Sequence, residues 1–198
     1  LAYLGDDVTD AAMKKYFTTW KFKHPQPNDL RKVIEGVSGK KMDWFFNDLI
    51  ETNKKLDYKI VGLSENPPKS MTLVSNDNIY LTLKNTGQIQ GPVHIAGMKN
   101  GSVVQSEWIE GFSGKKTIGF KDGDYDQYRI DPNLDMPELK RSNNTIDSKG
   151  IFRKVEPFRL QLVGSLDNPD KTQLFMTPIS GWNENDKWMF GSAFYNRV

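Results

Sequence analysis

The sequence predicts an α+β fold: a short N-terminal helical block, then an immunoglobulin-like antiparallel β-sandwich, then extra C-terminal strands. Three observations lead there. Between residues 6 and 53 apolar side chains recur about every four positions, the period of a helix face. From Lys54 onward the period falls to two, that of a strand with alternating faces. Turn-forming pairs and triplets then interrupt the chain at short intervals: Asn66-Pro-Pro68, Asn76-Asp-Asn78, Asn85-Thr-Gly87, Asn100-Gly101 and Asp122-Gly123.

In the helical block, Val8, Ala12, Tyr16 and Trp20 fall on one face of a first helix. Asp6 or Asp7 is placed to cap it, since a short carboxylate accepts from free N–H groups and complements the helix dipole. Pro25 is expected to stop this helix. Pro27 suits the first turn of the next, where its missing N–H is no loss. Leu30, Val33, Ile34 and Val37 form the second stripe, and Gly39 is placed to end it. Trp44, Phe45 and Leu49, with Phe46 and Ile50 nearby, form a third. Trp20, Trp44, Phe45 and Leu49 are the expected structural core residues, packing against the sandwich. Three short helices with this many aromatics leave an apolar face to be covered, by a missing partner layer or by a second copy in a symmetric dimer.

Strands are expected at Asp57–Leu63, Met71–Val74, Ile79–Lys84, Val93–Met98, Val103–Ile109, Lys115–Phe120 and Gln127–Ile130. Asn100-Gly101 predicts a tight hairpin, because both residues tolerate positive φ. About seven short strands at this spacing fit a sandwich. Residues 131–150 are polar and rich in Pro and Asn, which reads as a linker or a loop wrapping the sandwich. Phe158–Gly164, Gln173–Pro178 and Trp188–Tyr195 are expected as further strands. The divisions are therefore 1–56 for the helices, 57–131 for the sandwich, 132–150 for the wrapping loop and 151–198 for an additional, truncated β segment.

Composition excludes several functions. A chain of 198 residues with 37% hydrophobic and 12% aromatic content can build a core despite a mean hydropathy of −0.62. Basic and acidic residues number 27 and 25, and the lysine pairs are scattered, so nothing suggests a nucleic-acid partner. Without cysteine there is neither a disulfide nor a thiolate metal site. No apolar run approaches the roughly 18 residues of a membrane helix.

The order of the helical motifs carries a resemblance. Lys14-Lys-Tyr-Phe-Thr-Thr-Trp-Lys-Phe-Lys-His-Pro-Gln-Pro-Asn-Asp-Leu30 is followed by Val37-Ser-Gly-Lys-Lys-Met-Asp-Trp-Phe-Phe46. This resembles the closing helices of the catalytic domain in aminopeptidase N-type zinc metallopeptidases, over roughly the first 60 residues. In that family a Trp-Lys-aromatic helix end, a His-Pro-x-Pro-x-Asp helix start, a Val-Ser-Gly turn and a Trp-Phe-Phe helix occur in this order. The resemblance implies a parent enzyme that removes N-terminal residues from peptides with zinc-activated water. It also implies a β-sandwich after the catalytic domain and favours a bacterial periplasmic or cell-surface location for the parent. The family's His-Glu-x-x-His zinc signature is missing here: the only histidines are His24 and His94. The expectation is a non-catalytic C-terminal fragment with no catalytic residue and no metal or cofactor of its own, whose partner is the catalytic domain.

Other motifs have bland and sharp readings. Asp122-Gly-Asp-Tyr-Asp126 alternates carboxylates like the start of a calcium loop, but Gln127 and Asn133 stand where that loop needs Gly and Glu. Solvated carboxylates are the alternative. His24 reads as a helix-end residue and His94 as a strand residue. Trp108, Trp182 and Trp188 fit packing or, as a rival, stacking on sugars. Asn143-Asn-Thr145 fits a glycosylation sequon. A second functional hypothesis is therefore an extracellular sandwich that binds protein or glycan. A third concerns the segment Trp182 to Asn196, where aromatic and polar residues mix as in outer-membrane barrel strands.

Overall fold

The computed structural model describes residues 2–68, 78–150, 153, 158–162, 166, 168 and 171–196. Its fold is α+β, with helices confined to the N-terminal block and strands in three sheets. Helix α1 spans Asp6–Trp20 and α2 spans Pro27–Ser38. The third, α3, spans Trp44–Ile50 and is wound with π-helical spacing.

Gly5, with φ 84°, takes the cap position of α1, so Asp6 and Asp7 lie in the first turn and act on the dipole instead. The helix ends at Trp20, well before Pro25. The Lys21 N–H closes on the Phe17 carbonyl at 2.8 Å and Phe22 turns left-handed with φ 63°. Pro25 bars the helix from resuming, since it lacks the N–H for a bond to the Lys21 carbonyl, its ring clashes with that carbonyl, and it disfavours helical backbone at His24. Pro27 does open α2, with the Asp29 carboxylate accepting from the Gln26 N–H at 2.9 Å. Gly39, with φ 68°, closes it. Arg31 joins α2 to α3: it donates to Glu35, to Asn47 at 2.7 Å and to Asp43.

Strands β1 (Tyr58–Ser64), β2 (Asn78–Asn85) and β5 (Lys115–Lys121) form one sheet in the order β1-β2-β5. Strands β3 (Val93–Lys99), β4 (Ser102–Ile109), β6 (Gln127–Ile130) and β7 (Thr145–Asp147) form the second in the order β4-β3-β6-β7. All pairings in both sheets are antiparallel. The chain changes sheets after β2, β4 and β5, which makes an immunoglobulin-like sandwich of three strands on four. The inward residues form one core: Tyr58, Ile60, Leu81, Leu83 and Phe120 from the first sheet meet Val93, Ile95, Tyr128, Ile130 and Ile146 from the second. Asn100 and Gly101, with φ of 50° and 76°, make the expected tight turn between β3 and β4. The expected strand at Met71–Val74 lies outside the described residues.

The segment 131–144 is a strap rather than a linker, and it leads into β7, a strand the sequence pattern did not reveal. The strap runs along the free edge of β1. Leu139 N–H donates to the Leu56 carbonyl at 3.1 Å, and Ile60 N–H to the Asn143 carbonyl at 3.4 Å. Carboxylates complete the stitching. Asp57 accepts from the Lys140 N–H at 3.1 Å and from the Thr86 hydroxyl at 2.5 Å. Glu138 accepts from the Tyr58 N–H at 3.3 Å and from the Asn144 side-chain amide. Asp131 accepts from the N–H groups of Asp135 at 2.8 Å and Met136 at 3.1 Å. Burial, reinforced by the nearby charges of Asp131 and Asp57, pushes the Glu138 carboxyl up to about 8.

The helical block sits on the sandwich through Trp44 and Leu49, both half-buried against its core. The i→i+5 winding of α3 brings these two residues onto one side. An ordinary helix would have paired Phe45 with Leu49. Trp20, Trp44, Phe45 and Leu49 are all only partly buried; the enclosed residue of α3 is Phe46, 7% exposed. Gly91 is the seat for Trp44. A Cβ there would lie 2.8 Å from a Leu56 methyl and 3.0 Å from the indole.

The third sheet, in the order β10-β9-β8, contains β8 (Phe158–Leu162), β9 (Thr172–Asn183) and β10 (Lys187–Tyr195). β9 and β10 form a long antiparallel hairpin, and β8 pairs with β9 in parallel.

Two stability measurements check this architecture. Trp44→Ala should cost about 3 kcal/mol, and Gly91→Val about 1–3 kcal/mol by overpacking the same seat. Denaturant unfolding that leaves both unchanged would contradict the docking. The second concerns pH. The folded state holds a proton on Glu138 that the unfolded chain has already released, so this group's contribution to stability is full below about pH 4.5 and is lost as pH rises through about 8. The thermal unfolding midpoint should therefore fall between about pH 5 and about pH 8 and level off above that, and Glu138→Gln should flatten that fall.

Candidate functional site

A concave feature lies where the helices meet the strap. It is a cavity of about 300 Å³. Tyr3, Leu4, Ala12 and Met13 line it from the N-terminal side, Leu30 and Ile34 from α2, and Trp44, Phe45 and Leu49 from α3. Asp135, Met136 and Pro137 of the strap close it. Its walls are apolar, with few polar atoms. Two of these, Trp44 Nε1 and Thr9 Oγ1, are enclosed without a hydrogen-bond partner among the described residues. A groove of this kind accepts apolar side chains.

An aromatic chain links the groove to the sandwich. Tyr3 contacts Trp44 edge-on at 6.3 Å and Trp108 at 5.4 Å. Its hydroxyl donates to Glu110 at 3.2 Å, and the Lys40 ammonium lies 3.8 Å from its ring centre. Burial and the Glu110 charge push the Tyr3 phenol up to about 12. Trp108 stacks on His94, with ring centres 4.5 Å apart and planes within 8°. His94 is buried, and burial lowers its pKa against the opposing charges of Asp131 and Asp135. A neutral imidazole pressed on an indole is a packing element. Its Nδ1 has no partner among the described residues.

The other sequence candidates do not converge. His24 is exposed in the turn between α1 and α2, whereas His94 is in β3. Among the described residues no group of three or more His, Asp or Glu side chains could hold a metal ion. The carboxylates of 122–126 are engaged one by one: Asp122 accepts from the Gly123 N–H at 2.8 Å, Asp124 pairs with Lys99, and Asp126 accepts from the Asn100 N–H at 2.7 Å. Asp124 and Asp126 thereby brace the β3–β4 turn. Asn143 is half-buried in the strap. Trp182 and Trp188 stand on the third sheet, far from the groove in sequence and exposed.

Sequence periodicity placed apolar residues of α1, α2 and α3 on facing stripes, yet it missed the contribution of Tyr3 and of Asp135, Met136 and Pro137. The signal for the strap residues was weak, since only Met136 among them is apolar and large.

The purified chain should hold no stoichiometric zinc and release no amino acid from a chromogenic aminopeptidase substrate, because a catalytic zinc needs three converging protein ligands. Turnover with bound zinc that is lost on His24→Ala would overturn this. No family model matches the chain, and no curated protein matches it either.

Proposed function

We propose that this chain is the closing part of an aminopeptidase N-type zinc metallopeptidase, in which its helices complete the catalytic domain and its sandwich braces them. Zinc and peptide substrate belong to the rest of that enzyme. This chain contributes packing and shapes the approach to the substrate cleft. Besides the motif order in residues 14–46, one observation carries the reading: the helical block has an unfinished apolar surface. α2 has no fully buried residue, although Leu30, Val33, Ile34 and Val37 share a face. Met13, Phe17, Phe22 and Ile50 are exposed, Phe17 by 68% and Phe22 by 99%. Met13 and Phe17, one helical turn apart, make a second apolar strip on α1 beside the inward one. Such a surface beside an apolar groove suits a partner layer of helices.

The reading expects His-Glu-x-x-His in the coding sequence that precedes Leu1. It also expects that preceding part, expressed separately, to bind this chain. Phe17→Asp with Phe22→Asp should weaken the complex by at least roughly tenfold, while the thermal unfolding of the sandwich stays unchanged. Without a partner, the same face should drive dimerisation in light scattering or leave α1 and α2 poorly protected in hydrogen exchange. A monomer with well-protected helices would count against the proposal.

A further inference from the structure

The third sheet exposes an apolar face. On β8, Phe158, Leu160 and Leu162 point to one face and are each about 60% exposed (61%, 60% and 64%). Between them Arg159 and Gln161 point to the other face and are partly buried. The register carries the same division across the sheet. Leu160 lies opposite Leu174, Leu162 opposite Met176, Met176 opposite Phe194, and Trp182 opposite Trp188. The other face holds the polar contacts: Gln173 is 7% exposed and donates to the Asn168 carbonyl at 3.1 Å. There too, Thr177 and Tyr195 share a hydrogen bond at 3.1 Å, and Phe175 stacks on the Tyr195 ring. The same inward face encloses Phe175, which has no exposure, and toward the hairpin tip it carries Ile179 and Met189, both exposed. A strand face that rests in water carries polar residues, and this outer face carries leucine, phenylalanine and tryptophan instead.

We propose that the exposed face of β8–β10 is a lipid-contacting surface that seats against the acyl region of a phospholipid bilayer. The charge distribution selects this occupant. The face carries no ionisable residue from Phe158 to Leu162, from Thr172 to Trp182 or from Trp188 to Phe194. Among the described residues, charges flank this face only at its two ends: Lys171 before β9, and Glu184, Asp186 and Lys187 at the hairpin turn and the start of β10. An uncharged apolar surface with charges confined to its margins suits immersion in the acyl region just beneath the headgroups. Trp182 and Trp188, paired across the hairpin and 57% and 66% exposed, stand next to the charged turn, the level at which tryptophan settles in a membrane interface. Phe190, 81% exposed, continues the face inward from Trp188, with the two rings stacked. A protein partner would instead be expected to meet hydrogen-bonding groups around an apolar centre. The depth is limited by main-chain chemistry. β10 is an edge strand in this sheet, and an open edge cannot be dissolved in hydrocarbon. The sheet therefore lies along the interface, its aromatic face immersed and its edge at headgroup level.

The test is flotation of the full chain with vesicles of pure phosphatidylcholine, with and without brominated acyl chains. The chain should float with the vesicles, its tryptophan emission should shift to the blue, and the brominated lipid should quench it. Trp188→Ser with Phe190→Ser should reduce vesicle binding by at least roughly tenfold, with unchanged thermal unfolding as the control for folding. High salt should leave binding intact, since the contact is apolar. The proposal is overturned if the chain stays with the soluble fraction, if the double variant floats as well as the parent, or if binding requires anionic lipid and is lost in salt. It is equally overturned if light scattering shows a lipid-independent dimer that the double variant abolishes, because the face would then be a protein interface.

Discussion

The closure of the β1 edge by the strap is the contact on which the arrangement of the molecule depends. β1 is the outermost strand of its sheet, and an open edge offers a row of unpaired N–H and C=O groups. Here residues 138–143 take up that row, using main-chain bonds to Leu56 and Ile60 and carboxylates for the positions the backbone does not reach. The same strap delivers Met136 into the core and continues into β7, which completes the second sheet. Both sheets of the sandwich are thus held by one segment. The cost is a cluster of enclosed carboxyl groups, and Glu138 bears most of it through its raised pKa.

The strap also defines the groove. Its Asp135–Pro137 corner forms the wall opposite α1 and α2, while Trp44 on its Gly91 seat forms the floor. The helices consequently rest on the sandwich by one side only, with Ala12, Met42 and Phe46 as their enclosed hydrophobic residues. This thin attachment explains why the helical block, though regular in backbone, has so much apolar surface unfinished. The sandwich, with a contiguous aromatic and aliphatic core, has no such need.

The two incomplete surfaces differ in chemistry. The helical face stands beside an apolar groove. The outer face of the third sheet is apolar and aromatic along most of its length and bears no ionisable residue on its strands. The proposed occupants, a polypeptide for the first and lipid for the second, follow that difference.

Local pattern was enough to read the helical and sandwich strands, because alternation and turn chemistry act over a few residues. Asn100-Gly101 set its hairpin, Pro27 and Gly39 set the ends of α2, and the strands from β1 to β6 began within a residue or two of their expected starts where described. The proposed peptidase reading of residues 14–46 rests on motif order in the sequence. Tertiary structure decided what depended on distant partners. β7 is three residues long and is stabilised by pairing with β6, so no periodicity could announce it. Whether Phe45 or Phe46 is enclosed turned on the winding of α3, which shifts the facing residue from i+4 to i+5. The exposure of Phe158, Leu160 and Leu162 was hidden for a similar reason. Alternation in the sequence tells that a strand has two unlike faces, but only the packing of the whole chain decides which face meets the protein and which is left outside.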